Sequence, residues 1–206
     1  MRWRRRGKIF GIGLSRTGTT SLHRALELLG LDSIHFPDDA RTRREILGFL
    51  PGGGDRLHLS VLRRCDALSD TPVCATFEAL DAAYPGSRFV LTVRDKQEWL
   101  VSCQAYWSLG LDEFIREQPD DPWAVYMGAI GRALYGVPGF DAGRFSAAYD
   151  AYEERVARHF EGREADLLVL NLFNGEGWPE LCAFLDRPVP EMAFPHENRI
   201  PTRTIT

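Results

Sequence analysis

The segment 8–29 limits the fold of this chain more than any other part of the sequence. Its first residues are mostly apolar, as in a buried strand, and they lead into a loop rich in glycine and hydroxyl side chains. Leu22, Leu26 and Leu29 then recur with helical spacing, and Gly30 supplies a signal for the end of a helix. We therefore expect a strand, a loop and a helix in direct succession, with the loop at the N-terminus of the helix.

The loop in this segment predicts an anion-binding site. Residues 13–20 fit the G-x-x-x-x-G-K-[ST] pattern of phosphate-binding loops, except that Thr19 replaces the lysine. Backbone amides and the helix dipole attract phosphate of any kind at a helix N-terminus, so the side chains must decide which phosphate binds. An ordinary strand-to-helix turn is the structural alternative. A nicotinamide dinucleotide is disfavoured because Arg16 stands where that fingerprint requires its third glycine.

A second segment, 87–109, predicts a further ligand-binding position. Residues 89–93 form an apolar run typical of a central parallel strand, and Asp95 begins a helical pattern. Arg94 therefore ends a strand, and ligands of open α/β sheets bind outside the carboxyl ends of the strands. Ser102 follows two turns into the helix, where we expect its hydroxyl to join Arg94 on one phosphate. Pairing of Arg94 with Asp95 or another nearby carboxylate is the alternative.

Taken together, the two segments resemble the sulfotransferases that use 3′-phosphoadenosine 5′-phosphosulfate (PAPS). The run S-R-T-G-T-T at 15–20 resembles that family's 5′-phosphosulfate loop, and Arg94 followed eight residues later by Ser102 resembles its 3′-phosphate motif. The resemblance implies that PAPS is the donor, that adenosine 3′,5′-bisphosphate is the product, and that the acceptor is a hydroxyl or amine of a small molecule. The donor-binding residues that it implies are Ser15, Arg16, Thr17, Gly18, Thr19, Thr20, Arg94 and Ser102.

The same resemblance implies a fold. We expect a three-layer, P-loop-like α/β fold in which helices flank a central, mostly parallel sheet, in one domain over 1–206. The C-terminal third, 167–198, resembles a bacterial-type branch of the family. Ser21 replaces the tryptophan that stacks on adenine in cytosolic members, and the C-terminal R-K-G-x-x-G loop is missing. Arg199 and Arg203 are candidates to replace that loop's contact with the 3′-phosphate.

The resemblance also suggests catalytic residues. The Ser-Asp-Thr-Pro run around Asp70 resembles the T-H-x-P segment that carries the catalytic histidine of cytosolic members, so we expect Asp70 to be the base. His35 is a second candidate because it ends a predicted short strand at the same mouth, although a structural pair with Asp38 or Asp39 fits the sequence equally well. Arg16 takes the place of the family's loop lysine, and we expect it to stabilise the leaving group.

The composition is that of a compact globular protein. The chain has 206 residues, of which 44% are hydrophobic and 26% are charged, and this balance predicts a sizeable core. A formal net charge of -4 gives no bulk attraction to nucleic acid, and no apolar stretch approaches the length of a membrane span. The four cysteines form no C-x-x-C pair and the five histidines show no metal-ligand spacing. We therefore expect reduced core cysteines, a cytoplasmic protein and no structural metal.

The remaining chain predicts further helices at 40–50, 56–65, 121–134 and 141–160, with a flexible linker at 51–54 that we expect to act as a lid hinge. Several aromatic residues of the last two helices either line an acceptor pocket or belong to the core. These residues are Trp123, Tyr126, Phe145, Tyr149 and Tyr152.

Two other classes of function remain compatible with the sequence. A P-loop kinase or NTPase is disfavoured because the loop lacks its lysine. A catalytically silent nucleotide-binding module would keep the loop and lack turnover. Release of adenosine 3′,5′-bisphosphate from the donor distinguishes the enzyme from the module, and magnesium-dependent cleavage of ATP would indicate the kinase.

Overall fold

A sheet of five parallel strands forms the centre of the molecule in the computed structural model, which describes residues 7–50, 52 and 54–197. The order across the sheet is β2-β3-β1-β4-β5. The strands are β1 (Ile9–Gly11), β2 (Ser33–His35), β3 (Ala67–Ser69), β4 (Arg88–Thr92) and β5 (Leu167–Leu170). Phe10 of β1 lies between Leu68 of β3 and Phe89 of β4, so β1 is the middle strand. The loop after β1 therefore starts at the centre of the sheet's carboxyl edge.

Helices cover both faces of the sheet. Successive residues of a strand point to opposite faces, and Ile9 packs in a core with α1 and α8 while Phe10 packs in a core with α3, α4, α6 and α7. The helices of the described residues are α1 (Thr19–Leu28), α2 (Ala40–Phe49), α3 (Phe77–Ala83), α4 (Lys96–Trp107), α5 (Leu111–Glu117), α6 (Pro122–Tyr135), α7 (Ala142–His159) and α8 (Trp178–Leu185). The predicted three-layer α/β fold is confirmed, and the described sheet is wholly parallel.

Four helices of the layer opposite α1 begin at an aspartate. In each case the carboxylate accepts a hydrogen bond from at least one amide of the first helical turn, where amides otherwise lack partners. The capping residues of α2, α4, α6 and α7 are Asp39, Asp95, Asp121 and Asp141. The helices predicted at 40–50, 121–134 and 141–160 are confirmed, and their starts follow directly from these caps.

One predicted helix is wrong. Residues 56–65 contain only a short 3-10 turn, Ser60–Arg63. The amide of Leu57 donates to a carbonyl of α3, and the amide of Leu59 donates to the hydroxyl of Tyr84 at 3.1 Å. Amides that bind other elements cannot form the bonds within a helix, so tertiary contacts override the local pattern here.

Further predictions from the sequence concern the burial of the cysteines and the presence of helices long enough to cross a membrane. The four cysteines are free and buried, as predicted for core residues: Cys65, Cys74, Cys103 and Cys182. Within the described residues no helix combines the length and the apolarity needed to cross a membrane. Two positions of the predicted linker, 51 and 53, lie outside the described residues, as do Arg199 and Arg203.

Candidate functional site

The loop between β1 and α1, residues 12–18, is fastened to helices of the opposite layer. Tyr152 of α7 donates a hydrogen bond to the carbonyl of Ile12 at 2.5 Å. Trp99 of α4 donates through Nε1 to the carbonyl of Ser15 at 2.9 Å. These bonds fix the orientation of the loop, and the first amides of α1, which have no partner within the helix, lie at the carboxyl edge of the sheet.

Three residues of the loop have constrained backbone positions: Gly13, Arg16 and Gly18. A Cβ atom at Gly13 would lie 1.9 Å from the hydroxyl oxygen of Thr92, so only glycine allows the loop to approach β4 this closely. Gly18, which caps α1, has a φ of 100°. Arg16 also has a positive φ, 75°, a conformation that costs a non-glycine residue about 1 to 3 kcal/mol. Strain at this position suggests that the Arg16 side chain is placed for a function.

Thr17 faces away from the site. Its hydroxyl lies 2.7 Å from the carbonyl of Leu14 and 2.7 Å from the hydroxyl of Thr92, and its amide also donates to Leu14. Of the eight donor-binding residues suggested by the sequence, Thr17 therefore supports the loop from inside. The other seven line one cavity: Ser15, Arg16, Gly18, Thr19, Thr20, Arg94 and Ser102.

Arg16 extends from the loop towards α4. Its Nε donates to the hydroxyl of Ser102 at 3.2 Å, and its guanidinium carbon lies 5.3 Å from the centre of the Tyr106 ring. The sequence placed Ser102 beside Arg94, whereas the structure places it beside Arg16. One helix thus supplies both a hydroxyl and an aromatic ring to the arginine of the loop.

Arg94 lies two residues beyond the last residue of β4, at the carboxyl end of that strand as predicted. Its carbonyl accepts a hydrogen bond from the hydroxyl of Tyr149 at 2.6 Å, which anchors the end of the strand. The guanidinium donates to Glu98 at 3.3 Å and lies 4.2 Å from the centre of the Phe173 ring. The alternative of a local carboxylate partner is therefore realised with Glu98, and Asp95 instead caps α4. Arg94 also lines the cavity.

Asp70 and His35, the two candidate bases, form a pair. Parallel pairing of β2 with β3 sets His35 beside Ser69, and Asp70 follows immediately. Asp70 Oδ2 lies 3.0 Å from His35 Nε2, and Asp70 Oδ1 accepts from the amide of Thr71 at 2.8 Å. His35 Nε2 also lies 3.2 Å from the hydroxyl of Thr19, at the start of α1. The partner of His35 is thus Asp70 rather than Asp38 or Asp39.

Burial keeps other groups around the site neutral. Burial raises the pKa of Cys103 to about 12, although Arg16 and Arg94 act in the opposite direction. The Cys103 thiol therefore lines the cavity uncharged. Burial also lowers the pKa of His23, whose ring centre lies 5.7 Å from that of His35. A neutral His23 places no positive charge beside His35.

The cavity has a volume of about 870 Å³ and is lined by two unlike sets of side chains, which we call its halves. What we call the polar half comprises the loop, Arg94 and the Asp70–His35 pair. What we call the apolar half lies between the C-terminal part of α4 and the inner side of α6. Residues of this half include Tyr106, Trp107, Trp123, Met127, Ile130, Leu134 and Tyr135.

The aromatic residues singled out in the sequence divide between cavity and core. Trp123 lines the apolar half, whereas the other four are buried in the core: Tyr126, Phe145, Tyr149 and Tyr152. Sequence reasoning missed Tyr106, Trp107 and Tyr135, which line the cavity from the last turns of α4 and α6. The sequence shows that these residues lie near the ends of two helices rich in aromatic side chains. Whether each side chain faces the cavity or the core depends on how the helices pack.

A C-terminal segment also reaches the cavity. Trp178 donates through Nε1 to the carbonyl of Met192 at 2.8 Å, and its ring packs on Phe194 with the centres 4.8 Å apart. The amide of Glu197 then donates to the hydroxyl of Ser21 at 2.9 Å. His196 and Glu197 consequently line the cavity beside α1, a contact that no sequence motif indicated.

Comparison with known proteins finds matches over most of the chain. A family model described as a sulfotransferase domain matches residues 8–201 of the chain. The protein is also 30% identical over 210 residues to the Ava biosynthesis cluster protein M of Aspergillus versicolor. That alignment covers 92% of this chain and 80% of the relative.

Proposed function

Because the chain belongs to the sulfotransferase domain family, we propose that it transfers a sulfuryl group from PAPS to a hydroxyl or amine of a small-molecule acceptor. The family supports sulfotransferase activity, and the donor, the acceptor and the residue roles are inferred from the site. The observation that supports the proposal is a single cavity lined by the loop before α1, by two arginines and by apolar side chains of α4 and α6. Its volume, about 870 Å³, lies near the upper end of the usual range for ligand pockets.

The polar half suits a donor that carries phosphate at two places. The amides at the start of α1 and the side chain of Arg16 are assigned to the 5′-phosphosulfate. Arg94, at the end of a neighbouring strand, is assigned to the 3′-phosphate, since a guanidinium group can bind a phosphate through two parallel hydrogen bonds. The Phe173 ring beneath Arg94 holds that guanidinium within the cavity.

The transfer breaks the bond between sulfur and the bridging oxygen of the donor and forms a bond from sulfur to the acceptor atom. Negative charge develops on the bridging oxygen as adenosine 3′,5′-bisphosphate leaves. We assign the stabilisation of this charge to Arg16 and the amides of the loop, whose fixed positions mean that little reorganisation is needed. Ser102 orients Arg16 through its contact with Nε.

The proton of the acceptor is assigned to the Asp70–His35 pair. Asp70 is 5% exposed and accepts from Thr71 as well as facing His35 Nε2. A carboxylate that accepts from Nε2–H leaves the lone pair of a neutral imidazole on Nδ1. We therefore assign proton acceptance to His35 and orientation of its ring to Asp70, the reverse of the order suggested by the sequence.

Transfer from labelled PAPS tests the proposal. Wild-type protein should release adenosine 3′,5′-bisphosphate only when an acceptor is present, with a panel of phenols, alcohols, amines and sugars as acceptors. By calorimetry it should bind adenosine 3′,5′-bisphosphate more tightly than ADP, and Arg94→Ala should reduce that preference roughly 30-fold or more. Lys96→Ala, which removes a cation paired with Asp150 outside the cavity, is the matched control and should leave it unchanged.

Other results would contradict the proposal in distinct ways. Magnesium-dependent cleavage of ATP without sulfuryl transfer would indicate a P-loop kinase or NTPase. Tight binding of adenosine 3′,5′-bisphosphate without transfer to any acceptor of the panel would indicate a silent nucleotide-binding module. Equal affinity of wild-type protein for ADP and adenosine 3′,5′-bisphosphate would remove the role assigned to Arg94.

A further inference from the structure

The hydroxyl of Tyr135 differs from those of the other buried tyrosines. Tyr126 donates to the carbonyl of Pro37 at 3.2 Å, and Tyr149 and Tyr152 donate to backbone carbonyls at 2.6 and 2.5 Å. Among the residues that the structure describes, the hydroxyl of Tyr135 makes no hydrogen bond, although the residue is 7% exposed. Its capacity to donate and accept is therefore left for a molecule in the cavity, whose wall includes Tyr135.

The ring of Tyr135 is held firmly. It stacks on Phe145 with the ring centres 3.8 Å apart and the planes at 18°, and Trp99 lies against it with the centres 6.4 Å apart. A ring fixed on its faces carries its hydroxyl in a fixed direction. Tyr135 is also part of the cavity wall, so its hydroxyl is available to a molecule that occupies the cavity.

The side chains that line the cavity in the same half as Tyr135 are apolar. Met127, Ile130 and Leu134 of α6 and Trp107 of α4 line the same half. Burial raises the pKa of Tyr135 well above its ordinary value, with smaller contributions from Cys74, Cys103 and the carboxylate of Asp70. The hydroxyl therefore stays protonated at neutral pH and donates a hydrogen bond to a neutral oxygen.

We propose that the Tyr135 hydroxyl binds the oxygen of the acceptor, and that the acceptor is a mainly apolar ring compound with one hydroxyl, a phenol or an alicyclic alcohol. This inference rests on the proposed function. A wall of aliphatic and aromatic side chains leaves the several hydroxyls of a sugar without partners, and each such loss is costly. A single hydroxyl is satisfied, because its oxygen accepts from Tyr135 and its proton faces the Asp70–His35 pair.

The contact is tested by comparing the binding of two ligands to wild-type protein and to a Tyr135 variant. The binding of 2-naphthol and of naphthalene, which lacks the hydroxyl, is measured by calorimetry in the presence of adenosine 3′,5′-bisphosphate. Wild-type protein should prefer 2-naphthol by about tenfold, the effect of one net hydrogen bond, and Tyr135→Phe should remove most of that preference. The same variant should not lower the melting temperature, because removing an unpaired hydroxyl leaves the ring stacking intact.

Tyr126→Phe is the matched control, since it makes the same chemical change on the same helix but faces the core. It should retain the preference for 2-naphthol and lower the melting temperature, because the carbonyl of Pro37 loses its partner. Retention of the preference in Tyr135→Phe would overturn the assigned contact. Failure of wild-type protein to bind 2-naphthol, or tighter binding of methyl glucoside, would overturn the acceptor class. Because these readouts need no turnover, a normal preference without sulfuryl transfer from PAPS would contradict the proposed function and leave this inference standing.

Discussion

The two halves of the cavity are constructed in different ways. In the polar half, the loop and Asp70 directly follow a strand and Arg94 lies two residues beyond one, so the parallel sheet brings them to one edge. In the apolar half, the lining side chains come from α4 and α6, whose positions depend on packing against other helices. Backbone amides and strand ends keep the polar half constant, whereas exchange of a few side chains would reshape the apolar half. This division suits a common donor and a variable acceptor.

Helix α4 connects the two halves. Its first part supplies Trp99, which holds the loop carbonyl of Ser15, and Ser102, which contacts Arg16. Its last turn supplies Trp107 to the apolar half. If the halves nevertheless act separately, changes in the polar half should affect transfer and leave acceptor binding intact, and changes in the apolar half should do the reverse.

The largest effect is expected from Arg16. Arg16→Gly removes the guanidinium and also relieves the backbone, because glycine adopts a φ of 75° without strain. We expect kcat to fall roughly 100-fold or more, with a smaller change in the affinity for adenosine 3′,5′-bisphosphate, since the interaction is strongest with the charge that develops during transfer. Single-turnover transfer and calorimetry measure the two quantities, and the affinity for 2-naphthol should be unchanged.

Arg24→Ala on the exposed side of α1 is the control for lost charge, because Arg24 pairs only with nearby Glu27 among the described side chains. It should leave transfer and binding at wild-type levels. A raised KM with normal kcat in Arg16→Gly would mean that Arg16 anchors the ground state of the donor. A parallel loss of 2-naphthol affinity would mean that the two halves do not act separately.

The next largest effect is expected from the Asp70–His35 pair. Asp70→Asn and His35→Gln should each slow single-turnover transfer by roughly 100-fold, the scale of general base catalysis, while donor binding is retained. Asparagine tolerates the left-handed conformation of Asp70, whose φ is 70°, so the first variant should fold normally. The double variant should be little slower than His35→Gln alone, because residues that act as a unit are not additive.

A neighbouring histidine provides the matched control for this prediction. His23→Gln changes that histidine, whose hydroxyl partner is Ser33, and should keep the wild-type rate of transfer. Fast transfer by His35→Gln together with slow transfer by Asp70→Asn would assign the base to Asp70.

Much of the polar half was predictable because its residues stand in contiguous motifs. A glycine loop between an apolar strand and a helix predicts an anion site whatever the rest of the chain does, and Arg94 follows an apolar run that only a central strand explains. The pairing of Asp70 with His35 was not predictable. It depends on the register of β2 against β3, which long connections between the strands leave open.

The apolar half was not predictable for a different reason. Trp123 and Tyr126 lie three residues apart on α6, yet one lines the cavity and the other is buried in the core. Both positions satisfy the same helical periodicity, and only the packing of the helix against its neighbours separates them. The failed prediction at 56–65 has the same origin, since its amides bind α3 and Tyr84 instead of each other.

The smallest effect is expected from Trp123, a residue of the apolar half. Its substitution tests whether a change in that half weakens the binding of the acceptor alone. Trp123→Leu keeps the first turn of α6, because the amide still donates to Asp121, but it removes part of the apolar wall. A loss of roughly 60 Å² of apolar contact corresponds to about 1.4 kcal/mol, or about tenfold in the dissociation constant of 2-naphthol.

Donor affinity and the rate at saturating acceptor should stay at wild-type levels in Trp123→Leu, because Trp123 touches neither the loop nor the arginines of the polar half in any described contact. Val125→Ala, an exposed change on the same helix, should alter neither ligand. Equal losses of donor and acceptor affinity in Trp123→Leu would show that α6 supports the whole cavity. A loss of affinity for the acceptor alone would show that the packing of the helices determines which acceptor is sulfated, while residues at the carboxyl edge of the sheet carry out the transfer.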